Sequence, residues 1–131
     1  MNIIMIKNFL IINCIGKDDK LGLRINKDFF VHDIRKKNNY NQMLVSEIMN
    51  FVNSHEVKLD KNFSVIVNQG PGSFSGVRVS LAVAKGLKIS KNVRLFGYKD
   101  TDLAKFNQEN IEKLFSRNLI EKKLIKAIYL S

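Results

Sequence analysis

The 131-residue sequence predicts an α/β fold: three antiparallel strands, then parallel strands joined by a helix, in one mixed sheet. Three observations carry this. Short β-like runs separated by polar turns fill the first 34 residues. A helix-period segment follows. A strand, a glycine-rich turn and a long apolar helix then come in immediate succession, a unit that often carries function at the carboxyl edge of a sheet.

Taken in order, Asn8 to Ile15 is a continuous apolar run ahead of Gly16, as expected of a central strand buried on both faces. Gly16 to Lys20 reads as a hairpin turn, Leu21 to Ile25 as the second strand, Asn26 to Asp28 as another turn, and Phe29 to Ile34 as the third strand. Arg35 to Asn39 is a basic connection, read as solvated. A helix is predicted from about Asn41 to Ser54, with Leu44, Val45, Ile48, Phe51 and Val52 on its apolar face and Met43 on its polar side. The fourth strand is Phe63 to Val67. The fifth is Val93 to Tyr98, parallel to the fourth through a right-handed crossover. Asp102 to Lys123 has a helical pattern that Asn107 to Asn110 can interrupt, and Leu124 to Leu130 continues it or forms a final strand. The pattern is that of a ribonuclease-H-like, actin/Hsp70-type half-domain with a mixed five-stranded sheet. The architecture alone implies no chemistry. We divide the chain into an α/β domain, 1–106, and a short basic tail, 107–131.

Composition narrows the function classes. Apolar residues make up 45% of the chain, which supports a core. A single cysteine, Cys14, excludes an internal disulfide and a cysteine-based zinc site, and its apolar neighbours predict burial. His32 and His55 stand in no metal-ligand spacing. No apolar run reaches the ~18 residues of a membrane span, and the start of the chain lacks a signal-peptide pattern, so a cytoplasmic protein with no membrane partner is expected. The net charge of +10 admits a nucleic-acid partner, but the lysines are spread along the chain.

The glycine turn, Gly70-Pro71-Gly72-Ser73-Phe74-Ser75-Gly76, holds the only proline and three of the seven glycines. Such a turn before a helix can bring backbone N–H groups to an anion. It is nevertheless not a Walker A loop, because no Gly-Lys-Ser/Thr follows, and it lacks the dinucleotide Gly-x-Gly-x-x-Gly spacing. Ser73 or Ser75 can cap the helix instead, and neither hydroxyl has an evident base. The helix that follows is apolar around most of its circumference, with Arg78 and Lys85 on one narrow polar strip. It therefore needs cover on more than one side. The first helix can supply that cover within the monomer, and so can a second subunit or partner.

Gly70 to Arg78, followed by Ala84-Lys85-Gly86, closely resembles the TsaB (YeaZ) family, whose pattern reads Gly-Pro-Gly-Ser-Phe-Thr-Gly-x-Arg and then Ala-Lys-Gly. The order of elements from Phe9 to Lys105 also matches. The sister TsaD family shares the Gly-Pro-Gly turn but carries a His-x-x-x-His motif that is absent here. The resemblance implies a non-catalytic partner subunit of a TsaD-like transferase in bacterial tRNA threonylcarbamoyladenosine synthesis. It also implies a TsaE-like ATPase in the assembly, tRNA met indirectly through the complex, and a homodimer in the partner's absence. No cofactor is expected on this chain alone; ATP and metal are expected on the transferase. The family contact uses the two helices, which places Met43, Ser46, Glu47, Phe74, Ser75, Arg78, Val79, Ala82, Lys85 and Gly86 at the interface.

Three departures from the family stand out. Asn13 occupies the position of a first-strand aspartate, which weakens the case for independent ATP hydrolysis. Tyr40 stands where the family has a histidine. The chain also stops before most of the second subdomain, so a short form is expected. Two alternatives remain open: a nucleotide hydrolase or peptidase-like member of the same superfamily, and a basic RNA-binding module.

Overall fold

The structure is a computed structural model that describes residues 6–34, 40–123 and 125–128, with residues 40–43 and 74 described in backbone only. The strands are β1 (Phe9–Asn13), β2 (Lys20–Ile25), β3 (Asp28–Asp33), β4 (Ser64–Asn68) and β5 (Arg94–Tyr98). The helices are α1 (Tyr40–Ser54), α2 (Phe74–Lys91) and α3 (Gln108–Ser116), with a 3₁₀ turn at Asp100–Asp102. The five strands form one sheet in the order β3-β2-β1-β4-β5. The β1–β2 and β2–β3 pairs are antiparallel, and the β1–β4 and β4–β5 pairs are parallel. This is the predicted mixed sheet.

β1 and β4 lie inside the sheet and are buried at every residue. Side chains alternate across a strand, so each strand feeds two cores. Leu10, Ile12, Leu21, Leu23, Val65 and Val67 point to the face covered by α1 and α2. Phe9, Ile11, Ile66, Phe96 and Tyr98 point to the opposite face, where Leu103, Ile111 and Leu114 cover them. Cys14 is buried, as expected.

β1 ends earlier than its apolar run. The Asp19 carboxylate accepts the backbone N–H of Ile15 (3.0 Å) and of Gly16 (2.9 Å), and Gly16 adopts a φ of 89°, so the chain turns there. Val45, expected on the inner face of α1, is 46% exposed. The connection 35–39 lies outside the described residues.

The C-terminal quarter departs furthest from expectation. In place of a helix over Asp102–Lys123, the 3₁₀ turn and a non-helical stretch precede a short α3. Asn107 caps α3 by accepting the Asn110 N–H (2.8 Å), and Asn118 at φ 57° ends it in the left-handed region. Leu119 and Ile120 then pack on the α3 face, whereas Ile125 packs on the α1–α2 face. Between them the chain rounds the open edge of β5. Gly97 and Glu121 exchange backbone hydrogen bonds there (2.9 and 2.7 Å), which covers part of an edge otherwise open to pairing. Farther along, Ile128 donates its N–H to the Gln69 carbonyl (2.7 Å). The described part of the last segment is thus neither a helix extension nor a full strand, and 124 and 129–131 lie outside the described residues.

Candidate functional site

The glycine turn leaves the carboxyl end of β4 and is held by hydrogen bonds to both backbone and the Asn68 side chain. Gly70 donates its N–H to Asn68 Oδ1 (2.8 Å), and Ser73 donates its N–H to the Ile15 carbonyl (2.7 Å). Asp100 donates its N–H to the Gly70 carbonyl (2.9 Å). A Cβ on Gly72 would sit 2.7 Å from the Ile15 side chain, and one on Gly76 would sit 3.0 Å from the Cys14 carbonyl. These glycines let the turn pack against the end of β1. The N–H groups of Gly70 and Ser73 are engaged inside the protein, and the Gly76 N–H reaches Ser73 Oγ (3.4 Å), which makes Ser73 the cap of α2.

Beneath the turn, the carboxyl ends of β1, β4 and β5 bring Asn13, Asn68 and Tyr98 together. Asn13 Oδ1 accepts from Asn68 Nδ2 (2.7 Å) and from the Tyr98 hydroxyl (2.9 Å). Asn68 Nδ2 also donates to Asp100 Oδ1 (3.0 Å). Burial, and then the nearby Asp100 carboxylate, push the Tyr98 hydroxyl well above the ordinary tyrosine range. A cavity of about 410 Å³ opens beside this network, between the β1–β2 turn and residues 103–106, with Lys17, Lys20 and Lys105 on its wall. Lys20 is ion-paired with Asp33 across β2 and β3. Among the described residues, no three of His, Cys, Asp and Glu converge in a metal-ligating group.

The second candidate surface is the outward side of α2. Gly76, Val77, Ser80, Leu81, Ala84 and Leu87 are buried against the sheet and α1. Ser75, Arg78, Ala82, Lys85, Gly86 and Ile89 are exposed at helical spacing along the other side. Five of the ten residues expected at an interface, Ser75, Arg78, Ala82, Lys85 and Gly86, therefore share one face, with Val79 half-buried at its margin. Nothing within 4 Å would meet a Cβ on Gly86. Ser46 is exposed on α1. Glu47 contacts His32, which stacks on Phe51 at 5.5 Å between centroids, so its carboxylate already serves the β3–α1 junction. The side chains of Met43, Phe74 and Tyr40 lie outside the described residues.

Sequence reasoning passed over Ile89, which is 86% exposed seven residues after Ala82. Ile89 counted there only among the apolar residues around the helix circumference, although the i, i+7 spacing from Ala82 placed both on one face.

The sheet order and the helices on both faces define the class: an α/β half-domain of the actin/Hsp70 type. The chain belongs to the family whose model is described as TsaD, tRNA N6-adenosine threonylcarbamoyltransferase, which matches residues 35–117. It is 37% identical over 57 residues to the tRNA threonylcarbamoyladenosine biosynthesis protein TsaB of Buchnera aphidicola subsp. Baizongia pistaciae (strain Bp). That stretch is 44% of this chain and 26% of the relative. Its fold is similar to YeaZ from Pseudomonas aeruginosa, with a TM-score of 0.65 and 18% identity over 74% of this chain and 46% of that one. A second crystal structure, of a protein similar to peptidase YeaZ from Pseudomonas aeruginosa, gives the same TM-score and identity, with 45% of its length covered. The chain thus spans about half the length of these solved structures and about a quarter of the curated relative. Among the described residues, no helix is long and apolar enough to cross a membrane.

Proposed function

We propose that this chain is a non-catalytic partner subunit of a TsaD-type threonylcarbamoyl transferase in the synthesis of tRNA threonylcarbamoyladenosine. The observation that carries the reading is the exposed side of α2. There Ala82 and Gly86 provide a low surface beside the strip of Arg78 and Lys85, and Ile89 adds an exposed aliphatic side chain. Small residues at helical spacing admit a second helix at close range, and flanking cations give it orientation. Membership of the family supports a role in the same modification.

The carboxyl edge of the sheet supports the non-catalytic part. Asn13 has no negative charge to offer a metal–nucleotide, and its side-chain oxygen already accepts two hydrogen bonds. These residues do not fit such a group, so no chemical step is drawn through them. In this reading ATP and metal sit on the transferase, tRNA is met through the complex, a TsaE-like ATPase joins it, and the isolated chain can pair with itself.

Co-expression with a TsaD-type transferase tests the proposal. The two chains are expected to elute together in size-exclusion chromatography. Ala82→Glu is expected to abolish the complex while leaving the circular dichroism of the chain unchanged, because Ala82 is exposed. Separate elution at micromolar concentration would sink the idea.

A further inference from the structure

A groove of about 640 Å³ lies at the C-terminal end of α2, where the helix, the start of β5 and the C-terminal segment meet. Among the described residues, its wall carries Lys85, Lys88 and Lys122, with Ile89, Leu95 and Ile125 as its aliphatic part and no acidic residue. We infer that this groove is a docking site for an acidic, aliphatic peptide segment of a protein partner. The groove shares Lys85 and Ile89 with the outward side of α2, and the inference goes beyond the transferase contact through Lys88, Leu95, Lys122 and Ile125, which that contact does not use.

Charge complementarity selects the occupant. Lys88 lies in the last turn of α2, where a cation is favoured by the helix dipole, but that does not account for Lys122. Lys122 arrives from the segment that rounds β5 and converges on the same groove. Among the described residues, none of the three lysines makes an ion pair. Three like charges around one concavity repel each other and attract an anion. A second copy of this chain is a poor occupant, since it carries a net charge of +10. Nucleic acid is disfavoured too, because among the described residues no aromatic side chain lines the groove for a base to stack on. The aliphatic part instead fits a side chain such as Leu or Ile: Ile89 is 86% exposed and stands at the groove rim. A volume of this order suits a few side chains.

The test uses the isolated full chain and no transferase, so its failure is separate from any failure of the complex. A fluorescein-labelled peptide of alternating Glu and Leu is titrated by anisotropy at low and raised salt. Poly-glutamate and bulk tRNA serve as competitors. We expect saturable, salt-sensitive binding of the Glu–Leu peptide, weakened about tenfold or more by the double variant Lys88→Glu/Lys122→Glu. Ile89→Ser is expected to weaken it several-fold, and poly-glutamate to compete poorly. All three positions are exposed, circular dichroism checks each variant, and the milder Lys122→Gln is measured alongside. Unchanged binding in the variants overturns the proposal. So does equal competition by poly-glutamate and tRNA with a neutral Ile89→Ser, which would mark a plain polyanion surface.

Discussion

Asn13 shows how one side chain can change the meaning of a strand end. Its amide oxygen takes two hydrogen bonds from buried donors, and it is itself only 6% exposed. Replacing it with Ala would leave the Tyr98 hydroxyl and one Asn68 donor short of a partner. Asn13→Ala is therefore expected to lower unfolding free energy by about 1–3 kcal/mol, read from urea denaturation. Tyr98 gives a pH test. Its folded pKa lies above the unfolded value of about 10, so its contribution is complete below that value and fades as pH rises through the folded pKa. The stability of the native protein should thus fall in strong alkali, and the Tyr98→Phe variant should lack that component of the fall. Equal alkaline slopes for the two proteins would contradict the assignment.

Two glycines of α2 make opposite predictions at the scale of the element. Gly86 sits in the helix interior with open space around its missing Cβ. Gly86→Ala should stabilise the isolated chain by up to about 1 kcal/mol, because alanine loses less backbone freedom on folding. At Gly76 a Cβ would lie 3.0 Å from the Cys14 carbonyl, a backbone atom that yields little. Gly76→Ala should therefore destabilise, by roughly 1–3 kcal/mol. Thermal melts of the two variants, shifted in opposite directions, would check both. A rise in melting temperature for Gly76→Ala would show that the turn and β1 are not held at that distance. The same contrast separates the two sides of α2: the inner side closes the turn onto the sheet, and the outer side remains available.

For the whole molecule, the C-terminal segment links the two cores. Ile120 belongs to one face of the sheet and Ile125 to the other, with the Gly97–Glu121 pair between them at the edge of β5. Ile125→Ala should cost about 2 kcal/mol or more in chemical denaturation, as large-to-small changes at buried isoleucines do. A chain cut before Leu119 should in addition expose the β5 edge and aggregate more readily, which light scattering would register. A truncated chain as stable and monomeric as the full one would show that the segment is an appendage rather than part of the fold.

The sequence by itself determined the order of strands and helices as far as β5, the burial of Cys14, and the absence of phosphate-loop spacing in the turn. These follow from local periodicity and from residue types whose backbone demands are strong. It also placed Arg78 and Lys85 on one strip of α2 by helical spacing, whereas Ser75, Ala82 and Gly86 entered as interface residues through the family resemblance. Tertiary structure decided the rest. Glu47 looked free until His32, fifteen residues away, was brought against it. The break in the helical pattern at Asn107, legible in the sequence, and the stop at Asn118 are local, set by a side-chain cap and a left-handed backbone, but where the chain runs after them is tertiary. The groove of Lys85, Lys88 and Lys122 joins two segments that no window of sequence contains. Only folding around the β5 edge brings them together, because the contact is set by where the chain is buried and not by local preference.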